Sequence, residues 1–231
     1  AKVVLSHTIN AVNDAPTLTV TPAAATYSEN STALSALVTT ASAADVDSDH
    51  YNGGSLTFSL NTYVGGDVLD VLTTPIAGVG QFSRSGNNIS FTPLGGSSSV
   101  IGTVDGTSTG LATAFKINFS STLVTDAVAN ALVQSIGYRS TSENPTNNNA
   151  ASQRLFTVVL TDYASSAEGN GKSATLTGSI GNGQTLSITP INDAPVVDLS
   201  GTFGNSIGNS AASVSYQDGA VGIVFANWSP S

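Results

Sequence analysis

The tetrapeptide Asn-Asp-Ala-Pro stands twice in the chain, at Asn13–Pro16 and Asn192–Pro195, in the contexts INAVNDAPTLTV and ITPINDAPVVDL. Each copy follows an alternating stretch and precedes an apolar one. Self-similarity over such a distance marks a module boundary seen twice, so the chain reads as one unit of an array. Residues 1–12 are then expected to be the terminal strand of a preceding module. Residues 13–191 form a module of their own, and 192–231 are a linker and the partial start of the next. Thr26-Tyr27-Ser28-Glu29-Asn30 has a counterpart in Ser215-Tyr216-Gln217-Asp218-Gly219, which supports the same division. The partial module is too short to bury a core alone.

A module of this length can enclose a sizeable core. Only 9% of the 231 residues are charged, against 40% hydrophobic, so the remaining polarity comes from Ser, Thr, Asn and 23 Gly. That mixture suits a β-rich surface of hydroxyls and amides and is too apolar for disorder. Fifteen acidic residues against six basic ones leave a net charge of −9. Nucleic acid is excluded as a partner, because phosphate neutralisation needs clustered Lys and Arg; a cation is favoured. Cys is absent, so neither a disulfide framework nor a thiolate metal site is available. No apolar run reaches the roughly 18 residues of a membrane span, and no membrane insertion is expected. With no initiator Met or signal-peptide pattern in view, Ala1 reads as a cut inside a longer chain.

Strands are expected at Lys2–Ile9, Thr17–Val20, Ser55–Leu60, Asn88–Phe91, Val100–Val104, Ala114–Phe119, Arg154–Thr161, Ala174–Ile180 and Gln184–Ile188. Each carries β-branched or aromatic residues at period two, with Gly, Asn or Asp between. Gly53–Gly54, Gly65–Gly66, Ser85–Asn88, Gly95–Gly96 and Gly181–Gly183 are the clearest turns. Thr122–Ile136 departs from the pattern: Val124, Val128 and Leu132 recur at steps of four, Thr122 or Thr125 can cap its start, and Gly137 can end it. This segment is expected to be a short helix packed across an end or open edge of the sheets. The fold class is all-β, a sandwich with one short helix and an inserted hairpin region between Leu60 and Gln153.

Asp45-Val46-Asp47-Ser48-Asp49 sets carboxylates at alternate positions. Calcium takes six to eight oxygen ligands from carboxylates, carbonyls and water, and short loops rich in Asp and Asn supply them. The EF-hand pattern fails, since its sixth and twelfth positions are His50 and Leu56 rather than Gly and Glu. The nine-residue glycine-rich calcium repeat is also absent.

DVDSDHYNGGSLT resembles the D-x-D strand end and N-G turn of cadherin-type modules. Tyr27–Asn30 resembles their Glu-Asn motif on the first strand, Leu160-Thr161-Asp162 their late A-x-D motif, and INAVNDAP and ITPINDAP their linker. Together with SIGYRSTSENPTNNNAASQRLFTVVLTD, the pattern over Ala11–Pro195 is similar to the cadherin-like repeats of giant bacterial surface adhesins. The resemblance implies a cadherin- or immunoglobulin-like Greek-key β-sandwich with calcium at the joints between modules. It implies that Asn13, Asp14, Asp45, Asp47, Asn52 and Asp162 serve the upstream joint. Glu29, Asn192 and Asp193 would serve the downstream one, with Glu143 as the acid midway through the module. The linker departs from the eukaryotic pattern by lacking its leading Asp and one Asn, so each joint is expected to hold one or two ions.

Catalysis is not expected. His7 and His50 have no second His or Cys at metal spacing, and no nucleophile-elbow motif supports a serine triad. The carboxylates that could serve glycoside hydrolysis all fall at the joints. The implied role is that of a calcium-stiffened structural module of an extracellular adhesin or surface fibre, whose partners are neighbouring modules. Two alternatives stand beside it: a filament subunit assembled by strand complementation between chains, and a polysaccharide-binding module using Trp228 or the Tyr residues.

Overall fold

The computed structural model describes residues 7, 12–109, 114–163, 172–176, 186–193, 217–218 and 221–222. The terminal strand expected at Lys2–Ile9 and the Gly181–Gly183 turn lie outside these. The chain divides into two compact units, Ala1–Asn192 and Asp193–Ser231. In the second, β16 (Gln217–Asp218) and β17 (Val221–Gly222) pair antiparallel.

The first unit is built of sheets with one short helix. Its elements run β1 (Thr17–Pro22), β2 (Thr26–Ser28), β3 (Ser35–Ala36), β4 (Val38–Ala44), β5 (Ser55–Leu60), β6 (Asp67–Val71), β7 (Gly80–Ser85), β8 (Asn88–Pro93), β9 (Ser99–Thr109) and β10 (Ala114–Phe119). There follow α1 (Asp126–Gln134), β11 (Ile136–Ser140), β12 (Gln153–Arg154), β13 (Phe156–Thr161), β14 (Ser173–Leu176) and β15 (Leu186–Thr189). A seven-stranded sheet in the order β14-β13-β5-β10-β9-β8-β7 forms the main layer. Three smaller sheets, β1-β4, β3-β11-β6 and β12-β15-β2, complete the unit.

Alternation decides which face of the main sheet is buried. Leu56, Phe58 and Leu60 of β5, Phe115, Ile117 and Phe119 of β10, and Phe156, Val158 and Leu160 of β13 all turn into one core. Phe58 stacks on Phe156 at 6.0 Å between ring centroids. The residues between them face outward. Their register aligns Thr161, Ser55, Asn118, Thr103, Asn88 and Ser85 in one row across six strands. The outward row is all hydroxyl and amide, which is where the chain's uncharged polarity goes.

The stretch between Leu60 and Gln153 is not an addition to a smaller sandwich. Its strands β7 to β10 make up most of the main sheet, and β10 pairs directly with β5 from Ala114↔Ser59 to Asn118↔Ser55. The helix buries Val128, Ala129, Ala131, Leu132 and Val133 against the core. The Asn130 amide meets the backbone of Ala43, accepting from its N–H, so the helix covers β4 where no further strand pairs. Thr125 stands at the N-cap position without a side-chain cap hydrogen bond. The helix ends at Ser135, earlier than Gly137, because Ile136–Ser140 pairs with β6 on one side and β3 on the other. Long-range pairing of Ile136 and Tyr138 outweighs their continuation of the helical pattern.

Candidate metal centre

Three loops meet where β1 begins and β4, β5 and β13 have their ends. Thr17 of β1 pairs with Ala44 of β4, which sets Asn13 and Asp14 beside Asp45 and Asp47. Ser55 of β5 pairs with Thr161 of β13, which brings the Asn52-Gly53-Gly54 turn beside Asp162. Gly54 permits that approach, because a Cβ there would lie 2.1 Å from the Thr161 carbonyl oxygen. Gly53, at φ +88°, lies under the Tyr163 ring.

Asp45, Asp47 and Asp162 each present a carboxylate oxygen within 4.8 Å of the others. The site's scaffold is backbone and amide. Asp14 N–H donates to Asp47 Oδ2 at 2.8 Å, and Asp47 N–H to Asp45 Oδ1 at 3.2 Å. Buried Asn13 donates Nδ2–H to Asp162 Oδ2 at 2.9 Å, while the Lys172 N–H donates to Asp162 Oδ1. Asp162 is 1% exposed. Asp45 Oδ2 is buried and has no hydrogen-bond partner.

Two of these carboxylates, Asp45 and Asp47, have acidities displaced in opposite directions. Burial, followed by a hydrogen bond to the Asp47 carboxylate, pushes Asp45 up to about 6. The hydrogen bond from Asp45, and then the Asp14 amide, hold Asp47 below the usual carboxylate range.

The donor set fits calcium. Oxygens on one calcium ion lie about 2.3–2.6 Å from it, so any two are at most about 5 Å apart. The three carboxylates meet that limit, and the orphaned Asp45 Oδ2 supplies a buried oxygen whose desolvation nothing else offsets. Half-buried Asn52 stands in the adjacent turn, where its backbone N–H donates to His50 Nδ1 at 3.4 Å. Exposed Asp14 is tied to Asp47 through its backbone N–H. Of the six residues expected at this end, the structure brings the carboxylates of Asp45, Asp47 and Asp162 together and ties Asn13 and the Asp14 backbone to them by hydrogen bonds; Asn52 lies in the neighbouring turn. The sequence pattern did not lead to Lys172, whose only signal was a base near Asp162 in a chain with few bases.

The remaining candidates lie at the other end of the unit. β15 pairs with β2 in parallel register, and the Glu29 N–H donates to Thr189 O at 3.0 Å just beyond it. Glu29 is 3% exposed; its Oε2 accepts the Ile191 N–H at 2.7 Å, while Oε1 is buried without a partner. Asn192 is exposed beside Ile191, and exposed Asp193 opens the second unit. The loop bearing Glu143 belongs to this end, since Ser152 O accepts from Ile188 N–H. Glu143 itself is exposed and makes no hydrogen bond or ion pair among the described residues. The six residues of β13 separate the two ends, a distance of about 20 Å at 3.3 Å per residue.

Asp67 is a third kind of acid, the first residue of β6 and turned from solvent. It is fully buried, pairs with fully buried Arg154 through Nε at 2.6 Å and Nη2 at 3.0 Å, and accepts Tyr138 Oη–H at 2.5 Å. Arg154 also donates to the carbonyls of Pro145 and Ala151, pinning the ends of a loop in which Asn147, Asn148 and Asn149 all have positive φ. Every strong donor and acceptor here is satisfied, so the cluster is structural. No protein-family model, curated protein or solved structure matches the chain.

Proposed function

We propose that the chain is a calcium-stiffened module of a repetitive extracellular adhesin or surface fibre, akin to the cadherin-like repeats that its motifs resemble. The observation that carries this reading is the pair of buried, unpartnered carboxylate oxygens, Asp45 Oδ2 and Glu29 Oε1, at opposite ends of one unit. A single enzyme site would gather such atoms in one place. A tandem module needs them apart, because each joint combines the Glu29 end of one copy with the Asp45 end of the next. The repeated Asn-Asp-Ala-Pro lies at both ends in the matching position.

The chemistry is electrostatic. Without the ion, Asp45, Asp47 and Asp162 repel and the linker is free to bend. With it, oxygens from both sides of the joint share one charge, and the joint stiffens. Binding to the folded form alone also raises its stability by mass action.

A second reading, a polysaccharide-binding module, draws on the row of hydroxyls and amides from Thr161 to Ser85, which offers many hydrogen bonds and no charge. Calcium titration of the chain, and of a protein carrying two successive modules, separates the two. The stalk reading expects a raised melting temperature and, for the double module, a longer and narrower scattering profile, both reversed by chelator. Calcium-independent shape and stability, with retention on a neutral glycan column, would favour the second reading and remove the first.

A further inference from the structure

The calcium reading leaves one charge near the cluster without a role. Lys172 stands across from Asp162 where β13 and β14 begin their pairing: Asp162 N–H donates to Lys172 O at 3.0 Å, and the Lys172 N–H returns to Asp162 Oδ1. Residues opposed in an antiparallel pair project to the same side of the sheet, so the lysine side chain leaves the backbone on the side of the Asp162 carboxylate. Its position is set by two backbone bonds and not by a flexible loop tip. The other basic residues in the described part are committed or remote. Arg84 pairs with Asp70, Arg154 with Asp67, and Lys116 and Arg139 sit in the interiors of strands β10 and β11. The field of Lys172 also reaches the cluster, where it helps hold Asp47 ionised.

We propose that Lys172 is a built-in competitor for the cation at the Asp45–Asp47–Asp162 cluster, setting its calcium affinity to a weak, extracellular range. This inference rests on the calcium reading of the cluster. When the ion is absent, the tethered ammonium offsets part of the repulsion among three carboxylates and keeps the end of the module folded. When a divalent ion enters, the ammonium becomes a like charge on the same side of the sheet and opposes it. At a water-like dielectric constant, a unit charge about 6–12 Å from a divalent ion changes affinity by roughly three- to tenfold. The lysine therefore narrows the difference between the free and loaded states. It also tunes the joint to respond at the higher calcium of an extracellular medium, where a three-carboxylate site without it would already be saturated at lower levels.

The test compares the full chain with Lys172→Met and Lys172→Arg by calcium calorimetry and by melting in chelator. Lys172→Met keeps the length of the side chain and removes its charge; Lys172→Arg keeps the charge. The expected result is a three- to tenfold tighter calcium affinity and a lower melting temperature in chelator for Lys172→Met, with Lys172→Arg matching the parent. The gain should also shrink at 1 M monovalent salt, where screening reaches about 3 Å. Equal affinity of parent and Lys172→Met would overturn the competitor role while leaving the site intact. The same shift in both variants would overturn it as well, since charge would then not be the cause. If neither parent nor Lys172→Met takes up calcium, the metal reading falls and this inference falls with it.

Discussion

Replacing Asp45 by Asn keeps the shape of the side chain and removes its charge, and the outcome should change sign with calcium. In chelator, Asp45→Asn relieves repulsion and a buried, unpartnered acid. A gain on the order of 1 kcal/mol corresponds to a melting temperature raised by about 2–4 °C. With calcium supplied, the same variant should bind at least about tenfold more weakly, since even outer partners of metal ligands carry that much. Calorimetry and melting on one preparation give both numbers; unchanged affinity would remove Asp45 from the site. The pH dependence follows from the same residue. Its pKa is raised from 3.8 to about 6 on folding, so its contribution to the calcium-free protein is fully present below 3.8 and lost as pH rises through about 6. Asp47 shifts the other way, so its contribution is present above 3.8 and is lost as pH falls below that value. The chelated protein should therefore melt higher at pH 5 than at pH 7 through Asp45. Calcium affinity should fall as pH drops below about 6, with proton release on binding. Arg154 sets a different test. Arg154→Met leaves the Asp67 carboxylate buried without its counter-charge, which costs about 3–5 kcal/mol. A urea midpoint shift that the further change Asp67→Leu partly reverses would confirm that the lost partner, and not lost packing, is responsible.

At the scale of elements, the approach of the Asn52–Gly54 turn to β13 depends on a missing side chain. Gly54→Ala would drive a methyl carbon into the Thr161 carbonyl, splaying β5 from β13 where Asp162 begins. We expect loss of stability and of calcium binding together, whereas Gly78→Ala, which meets no atom within 4 Å but has φ +78°, should affect stability alone. Hydrogen exchange at the Ser55–Thr161 pair would register the first and not the second. Much of this layer was legible beforehand. Strands β5, β10 and β13 alternate cleanly because one face is core and the other water, and the aspartates of the upstream end lie close in sequence or in repeated motifs. What escaped was long-range. Strands β4, β6 and β7 carry small, acidic or arginine residues that alternation alone does not flag, and only their neighbours make them strands. The Asp67–Arg154 pair spans 87 positions, and nothing local distinguishes its acid from a solvated one. Lys172 acquires meaning only from the strand that sets it against Asp162.

For the whole molecule, the separation of the two orphaned oxygens leads to a prediction about Glu29. Glu29→Gln should leave calcium uptake at the Asp45 end of a single module unchanged, and should abolish the calcium-dependent lengthening of a protein with two modules. Small-angle scattering on the pair, with calorimetry on the single chain, distinguishes a joint from two independent sites; equal loss in both would show that the two ends are not separate.

The parallel register of β2 with β15 bears on how such a chain yields when stretched. Thr26 faces Ser187, Tyr27 faces Ile188 and Ser28 faces Thr189, so the second and last of the unit's described strands run in the same direction. Traction that has passed β1 and reaches both strands drags one past the other lengthwise, and the rungs between them must break together. A zipper that opened one rung at a time would give way at far lower tension, so single-molecule pulling should record a sharp rupture that Ser187→Pro softens, since the Ser187 N–H donates to Ala25 O on the β2 side.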